Sequence, residues 1–174
     1  MLHATDSLVA ELAGRGTGLD ITTSAEGIGR WGEVWSSLDG PASDVLPCWL
    51  LERAGELRER YEGLLSVAVG DSVVQGDIRN DNLIVRDDGS VVFVDWGMSR
   101  RGPRGSTVFD DLVRRSPGLR RLGDDHVTGF LVALGAWLGY RTTVAVDIGL
   151  PTLNEFRRRE SARMLEGARR RLGL

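Results

Sequence analysis

The sequence of 174 residues contains no lysine, and all 22 of its basic residues are arginine. A phosphate-binding loop of the Walker type depends on its lysine, and so does an enzyme that forms a Schiff base, so this chain contains neither. A lysine that holds a nucleotide is missing for the same reason. The absence of lysine therefore removes three kinds of chemistry from these residues.

Cysteine and histidine are also scarce. Cys48 is the only cysteine, which excludes an intramolecular disulfide and any cysteine-rich zinc site and leads us to expect a reducing, cytoplasmic environment. The two histidines, His3 and His126, lie away from the acidic residues discussed below. We therefore do not expect a Ser-His-Asp triad or a histidine-rich metal site.

Long apolar runs and a strong net charge are both missing. The longest apolar run, Phe130 to Leu138, is too short to cross a bilayer. No basic start followed by an apolar run indicates a signal peptide. The formal charge of −3 produces no field that favours nucleic acid or an anionic membrane. We expect a single domain over residues 1–174 with neither a nucleic-acid nor a membrane partner.

Helical periodicity dominates the chain outside its middle. An apolar stripe at three- and four-residue spacing predicts a helix whose buried side carries Ile28, Trp31, Trp35 and Leu38. The two tryptophans leave a ligand-stacking role open, although core packing is the favoured interpretation. Residues 49–65 form the clearest amphipathic pattern, and residues 127–138 are apolar on nearly every side, which predicts a helix in the middle of the core.

The C-terminal segment predicts one more helix. Thr152 and Glu155 have the spacing of a capping box, in which the two side chains bond each other's backbone amides. The predicted buried side consists of Leu153, Phe156, Met164, Ala168 and Leu172. The many arginines of this segment favour a solvated face with cations near the helix C-terminus over a surface that binds nucleic acid.

The middle of the chain, "VVQGDIRNDNLIVRDDGSVVFVDWG" at residues 73–97, concentrates acidic and amide side chains around two strand-like runs. The runs 83–86 and 91–94 flank Asp88-Gly89, a strong signal for a β-hairpin. A two-residue loop at Asp88-Gly89 puts Asn82 directly opposite Asp95, and a four-residue loop keeps that register. A three-residue loop puts Asn82 opposite Val94 instead.

With Asn82 opposite Asp95, one amide oxygen and one carboxylate stand at the spacing that suits a hard cation such as Mg²⁺. Asp77 lies five residues before Asn82, across a short polar loop. A carboxylate beside a Mg²⁺ site is what phosphoryl transfer to an alcohol needs, because it orients the hydroxyl and accepts its proton. The alternative is that these acids only cap turns or lie in solvent, which we adopt for Asp81, Asp87 and Asp88.

The segments "QGDIRNDNLIV" and "FVDWG" resemble the catalytic segment of the aminoglycoside phosphotransferase family, the small-molecule branch of the protein-kinase-like fold. The family form is H-G-D-x-x-x-x-N followed by D-W/F-G at the end of the next strand. By this resemblance Asp77 is the catalytic aspartate, while Asn82 and Asp95 are the metal ligands. Gln75, Arg79 and Gly97 are supporting residues of the same motif.

The resemblance extends from about Trp49 onward and implies the C-terminal, helical lobe of a kinase-like fold. The expected fold class is therefore mainly α with a small β-hairpin (α+β). Two departures stand out. Gln75 occupies the usual histidine position, and glutamine can likewise donate and accept hydrogen bonds. The β-rich N-terminal lobe of the family, with its nucleotide-holding lysine, has no counterpart in these residues.

The resemblance implies Mg²⁺ with ATP or GTP as cofactor and transfer of the γ-phosphoryl group to a hydroxyl of a small molecule. It implies as well that a separate N-terminal lobe or a dimer partner completes the enzyme. The residues that bind the nucleotide base are not predicted. An alternative from another class is a non-catalytic, kinase-like remnant that binds a ligand or a partner.

Overall fold

A computed structural model of the chain describes residues 22–70, 72–75, 82–94, 99–102, 124–144 and 152–174. These residues belong to two compact units. One unit contains residues up to 27 together with 67–120, and the other contains 28–66 together with 121–174. The prediction of a single domain stays a prediction.

The described part of the chain contains five α-helices and one 3₁₀ helix. In chain order they are α1 (Ser24–Gly29), the 3₁₀ helix (Arg30–Ser36), α2 (Cys48–Glu52), α3 (Ala54–Val67), α4 (Asp124–Val144) and α5 (Leu153–Arg171). Four strands complete the description: β1 (Ser72–Gln75), β2 (Leu83–Val85), β3 (Val91–Phe93) and β4 (Ser99–Gly102). The coarse prediction, mainly α with a small β-hairpin, is confirmed.

The second unit is built around an apolar core that draws on all of its helices. Leu50, Leu57 and Val132 are among its fully buried side chains. The remaining buried members of this core are Val34, Ala42, Leu46, Ala136, Leu165 and Ala168. Helix α4 lies in the middle of this core, as its nearly continuous apolar sequence predicts.

Helices α4 and α5 approach each other closely because glycines face the contact. A side-chain β-carbon at Gly135 would lie 2.9 Å from Leu165 Cγ, and one at Gly139 would lie 3.0 Å from Ser161 Oγ. The buried hydroxyl of Ser161 donates a 2.7 Å hydrogen bond to the carbonyl of Gly135 across the two helices. This contact satisfies a polar group that burial would otherwise make costly.

The tryptophan stripe packs as the sequence predicts. Trp35 and Leu38 pack against the core, and Trp31 makes an edge-to-face contact with Phe130 at a ring-centroid distance of 5.3 Å. Trp137 donates a 2.7 Å hydrogen bond from its indole nitrogen to Glu33 Oε1. The stripe therefore serves helix packing, although its backbone changes from α-helix to 3₁₀ helix at Arg30.

Other helix predictions need correction. The segment 49–65 is interrupted at Arg53, which ends α2 with φ −113° and ψ 17°. The capping box at Thr152 is wrong, because Thr152 already has helical dihedral angles (φ −86°, ψ −7°) and its side chain makes no capping bond. The predicted buried side of α5 is partly wrong as well. Ser161 and Leu165 are buried there beside Ala168, whereas Phe156 is exposed.

The strands form two antiparallel pairs, β1 with β4 and β2 with β3. The sequence predicts only the second pair and assigns residues 100–107 to a loop, which is wrong for 100–102 because they belong to β4. None of the described helices is both long and apolar enough to span a bilayer.

Candidate active site

The hairpin turn fixes the geometry of the candidate site. The amide of Gly89 donates to the carbonyl of Arg86 at 2.9 Å, and the amide of Arg86 donates to the carbonyl of Ser90 at 2.9 Å. Gly89 has φ of 78°, a left-handed conformation that other residues rarely adopt. Asp87, Asp88 and Gly89 therefore form a three-residue loop that combines a tight turn with a left-handed glycine.

Asp88 stabilises this loop through its side chain. The amide of Ser90 donates to Asp88 Oδ1 at 2.9 Å. The Ser90 hydroxyl and amide beside the carboxylate lower the pKa of Asp88 below its ordinary value. The interpretation of Asp88 as turn chemistry is consistent with these contacts.

The loop sets the register of the two strands. Val85 pairs with Val91, Ile84 with Val92 and Leu83 with Phe93. One step further, the carbonyl of Asn82 accepts a 3.0 Å hydrogen bond from the amide of Val94. The two-residue-loop register, in which Asn82 faces Asp95, is therefore wrong, and the three-residue alternative is the one that forms.

Asn82 is the predicted metal ligand whose position the structure describes. It directly precedes β2 at the open end of the hairpin, and it is 7% exposed. An amide oxygen is a ligand that hard cations such as Mg²⁺ accept, and a carboxylate is the usual second protein ligand. The donor types of Asn82 and Asp95 therefore fit Mg²⁺.

The pair β1–β4 ends close in sequence to the same residues. Gln75, the last residue of β1, pairs with Ser99, the first residue of β4. The segment 76–81 runs from Gln75 to Asn82, and the segment 95–98 runs from Val94 to Ser99. The two segments that carry the motif, 76–81 and 95–98, therefore each run between the same two paired positions. One position is Gln75 with Ser99, and the other is Asn82 with Val94.

Four of the predicted site residues, Asp77, Arg79, Asp95 and Gly97, lie outside the described residues. For Gln75 the structure describes the backbone. Among the residues that the structure describes, no three histidine, cysteine, aspartate or glutamate residues lie close enough together to hold a metal ion.

A contact that sequence reasoning missed anchors β4. Thr23 and Glu26 form a capping box at the start of α1, with Glu26 N bonding Thr23 Oγ1 at 3.1 Å and Thr23 N bonding Glu26 Oε2 at 2.6 Å. The amide of Arg101 donates to the carbonyl of Thr22 at 3.1 Å. The signal was present as threonine followed three residues later by glutamate.

The side chain of Arg100 completes this anchor. Its guanidinium donates to Thr22 Oγ1 and lies across Gly27, where a β-carbon would be 2.5 Å from Arg100 Nε. A side chain at position 27 would therefore displace the guanidinium of Arg100 from this place. The strand that follows the D-W-G segment is fixed by residues far away in the sequence.

Comparisons of the chain with protein-family models, with curated proteins and with solved structures found no match.

Proposed function

We propose that the chain is the helical lobe of a kinase-like phosphotransferase that moves the γ-phosphoryl group of ATP or GTP to a hydroxyl of a small molecule. The observation that carries the proposal is the position of Asn82, which is 7% exposed and directly precedes β2 at the open end of the hairpin, where the motif requires its amide ligand. Asp95, the carboxylate ligand of the motif, is the residue after Val94 in the sequence.

In this proposal Asn82 and Asp95 hold Mg²⁺, which when bound neutralises charge on the nucleotide phosphates. Because Asn82 pairs with Val94, a ladder that continued regularly would turn the side chains of residues 82 and 95 to opposite faces. The proposed site therefore requires the chain to leave the regular ladder after Val94, and Asp95 lies outside the described residues.

Asp77 has the role of orienting the acceptor hydroxyl and accepting its proton. Gln75 supports the loop from the end of β1, where its backbone pairs with Ser99. Arg79 and Gly97 are supporting residues of the same motif. The acceptor is a hydroxylated small molecule, because this motif is that of small-molecule rather than protein phosphotransferases.

We propose that the lobe that holds the nucleotide comes from outside these 174 residues, from a longer chain or from a separate partner polypeptide. The missing lysine favours this arrangement. It also favours the second candidate function, a kinase-like protein that binds a ligand or partner without catalysis. The proposed cellular location is the cytoplasm.

Calorimetric titration of the chain with Mg²⁺ and ATP tests the proposal. Asp95→Asn and Asn82→Ala should each weaken Mg²⁺-dependent binding by about tenfold or more. Because Asn82 is buried, Asn82→Asp supplies a variant of similar shape that retains an oxygen ligand, and it should bind nearly as well as the unmodified chain.

Asp77→Asn should leave nucleotide binding intact, because Asp77 acts on the acceptor rather than on the metal. Asp87→Asn, in the exposed turn of the same hairpin, is the matched control and should change nothing. The proposed site is contradicted if the chain binds nucleotide equally well without Mg²⁺. It is also contradicted if Asp95→Asn leaves Mg²⁺-dependent binding unchanged. Binding without transfer, once a second lobe and hydroxylated acceptors are supplied, favours the non-catalytic candidate.

A further inference from the structure

The second unit, residues 28–66 and 121–174, contains a groove that the proposed function does not use. It has a volume of about 490 Å³, within the range of small-molecule sites. Its walls come from the segment before α2, from the C-terminal part of α4 and from α5. All of the lining residues belong to the unit of residues 28–66 and 121–174, so the inference does not depend on the candidate active site.

Two exposed residues of opposite charge line this groove. Asp44 belongs to the segment before α2, and Arg158 belongs to α5. Among the described residues neither side chain forms an ion pair or a hydrogen bond, with the other or with any neighbour. The third charged residue of the groove, Glu166, is already bound by Arg169 at 2.8 Å, and this contact lowers the pKa of Glu166.

Apolar surface and two hydroxyls complete the lining. Trp49 and Val45 provide an aromatic and an aliphatic wall, and Val45 is 40% exposed. The hydroxyls of Thr142 and Ser161 each donate to a helix carbonyl at 2.7 Å. Because their protons are used, their remaining lone pairs can accept hydrogen bonds from a ligand ammonium group.

We propose that this groove binds a small zwitterion with an apolar body, such as a free aromatic or aliphatic α-amino acid. The ligand ammonium group binds at Asp44, the ligand carboxylate binds at Arg158, and the apolar part lies against Trp49 and Val45. A ligand with both charges is complementary to the groove, whereas a purely apolar or singly charged ligand leaves Asp44 or Arg158 unmatched.

The test uses L-phenylalanine as the probe, titrated into the full chain and followed by calorimetry and by NMR of the Trp49 indole. We expect saturable binding. Phenethylamine, which lacks the carboxylate, and 3-phenylpropanoate, which lacks the ammonium group, should each bind about fivefold or more weakly, because each loses one charge-assisted contact.

Variants separate the two charges. Asp44→Asn should remove the preference for L-phenylalanine over 3-phenylpropanoate, and Arg158→Gln should remove the preference over phenethylamine. Ala162→Trp fills the groove from an exposed position on α5 and should abolish binding without changing either charge. Asp39→Asn and Arg30→Gln, at exposed positions outside the groove lining, are the matched controls and should bind as the unmodified chain does.

Several results would overturn the proposal. These are no saturable binding at millimolar L-phenylalanine, equal binding of the three probes, or unchanged preferences in both charge variants. A concentration-dependent dimer that Ala162→Trp disrupts would show that a second copy of the chain occupies the groove instead. Each of these outcomes leaves the phosphotransfer proposal untouched, because its variants lie in the other unit.

Discussion

The carbonyl of Asn82 accepts the amide hydrogen of Val94 at 3.0 Å, so Asn82 stands opposite Val94 and not opposite Asp95. This one-residue difference follows from Gly89, whose left-handed conformation makes the loop three residues long. The turn therefore determines which residue stands opposite Asn82, although it carries neither of the candidate metal ligands itself.

Engineered cysteines test this register directly. Val85 and Val91 are paired across the hairpin, and both side chains are exposed. Arg86 and Ser90 form the adjacent hydrogen-bonded pair, so Val85 and Val91 form a non-hydrogen-bonded pair. Side chains lie closest together in pairs of this kind. In a Cys48→Ser background, Val85→Cys with Val91→Cys should form an intramolecular disulfide under mild oxidation, measured by mass spectrometry and thiol counting.

The matched control joins residues that would be opposed only in the two-residue-loop register. Val85→Cys with Val92→Cys should stay largely reduced, because successive residues of a strand point to opposite faces. If this second pair forms the disulfide efficiently and the first does not, the register reported for the hairpin is wrong.

The hairpin shows where sequence reasoning succeeds and where it stops. The strand-like runs and Asp88-Gly89 predict its existence correctly, because both signals are local. Its register was not decided by the sequence, because Asp-Gly fits a two-residue turn as well as a three-residue loop that ends in a left-handed glycine. Asp77 and Asp95 lie outside the described residues, so their roles stay predictions.

The helices also show which features a sequence pattern predicts and which it does not. Residues 127–138 are recognised as a core helix because apolar side chains cover nearly their whole surface. The apolar pattern does not predict the buried face of α5, because Gly135 and Gly139 of α4 allow Leu165 and Ser161 to approach closely and a glycine adds nothing to a hydrophobic pattern. The capping-box spacing is likewise not sufficient by itself, because the box forms at Thr23 but not at Thr152.

Two glycine-to-alanine substitutions within helices should have opposite effects on stability. Gly63 of α3 has no atom within 4 Å of the added β-carbon, so Gly63→Ala should stabilise the fold by about 0.5–1 kcal/mol through helix propensity. At Gly129 of α4 the β-carbon would lie 2.6 Å from the carbonyl oxygen of Arg60. Gly129→Ala should therefore destabilise the fold by about 1–3 kcal/mol.

Urea denaturation of the two variants measures these free energies of unfolding. A stabilising Gly129→Ala would mean that α3 and α4 do not approach as closely as described. A destabilising Gly63→Ala would show that this face of α3 is covered.

Tyr61 should make the fold sensitive to alkaline pH. Burial raises the pKa of its hydroxyl above the ordinary value of about 10, helped by the charge of Glu62 and opposed by a hydrogen bond from the backbone of Gly32. The unfolded chain therefore loses this proton first as the pH rises. Stability should be unaffected below the unfolded pKa and should fall as the pH rises from there through the folded pKa.

The chain has only two tyrosines, so the variant Tyr140→Phe isolates Tyr61 for titration by tyrosinate absorbance. The Tyr61 signal should titrate above the value found in urea-unfolded protein. Equal folded and unfolded pKa values would contradict the buried environment.

Removing the hydroxyl of Tyr61 should also lower stability at neutral pH. This hydroxyl lies 3.1 Å from the carbonyl oxygen of Ile28 and 3.0 Å from that of Gly29. Tyr61→Phe should cost about 1 kcal/mol, because the carbonyls lose their donor in a partly buried place. Thermal unfolding should show a smaller loss of stability for Tyr140→Phe than for Tyr61→Phe. Equal losses of stability in the two variants would contradict the hydrogen bonds assigned to the Tyr61 hydroxyl.

The central claim, that Asn82 and Asp95 hold a divalent cation with a nucleotide, can be tested most directly with paramagnetic Mn²⁺. In an NMR titration of the full chain with Mn²⁺ and ATP, the Asn82 carboxamide and the Val94 amide should broaden. Asp95→Asn should abolish this broadening, whereas Asp87→Asn should leave it unchanged. The claim is contradicted if neither signal broadens at millimolar Mn²⁺ and ATP, or if Asp95→Asn broadens as the unmodified chain does.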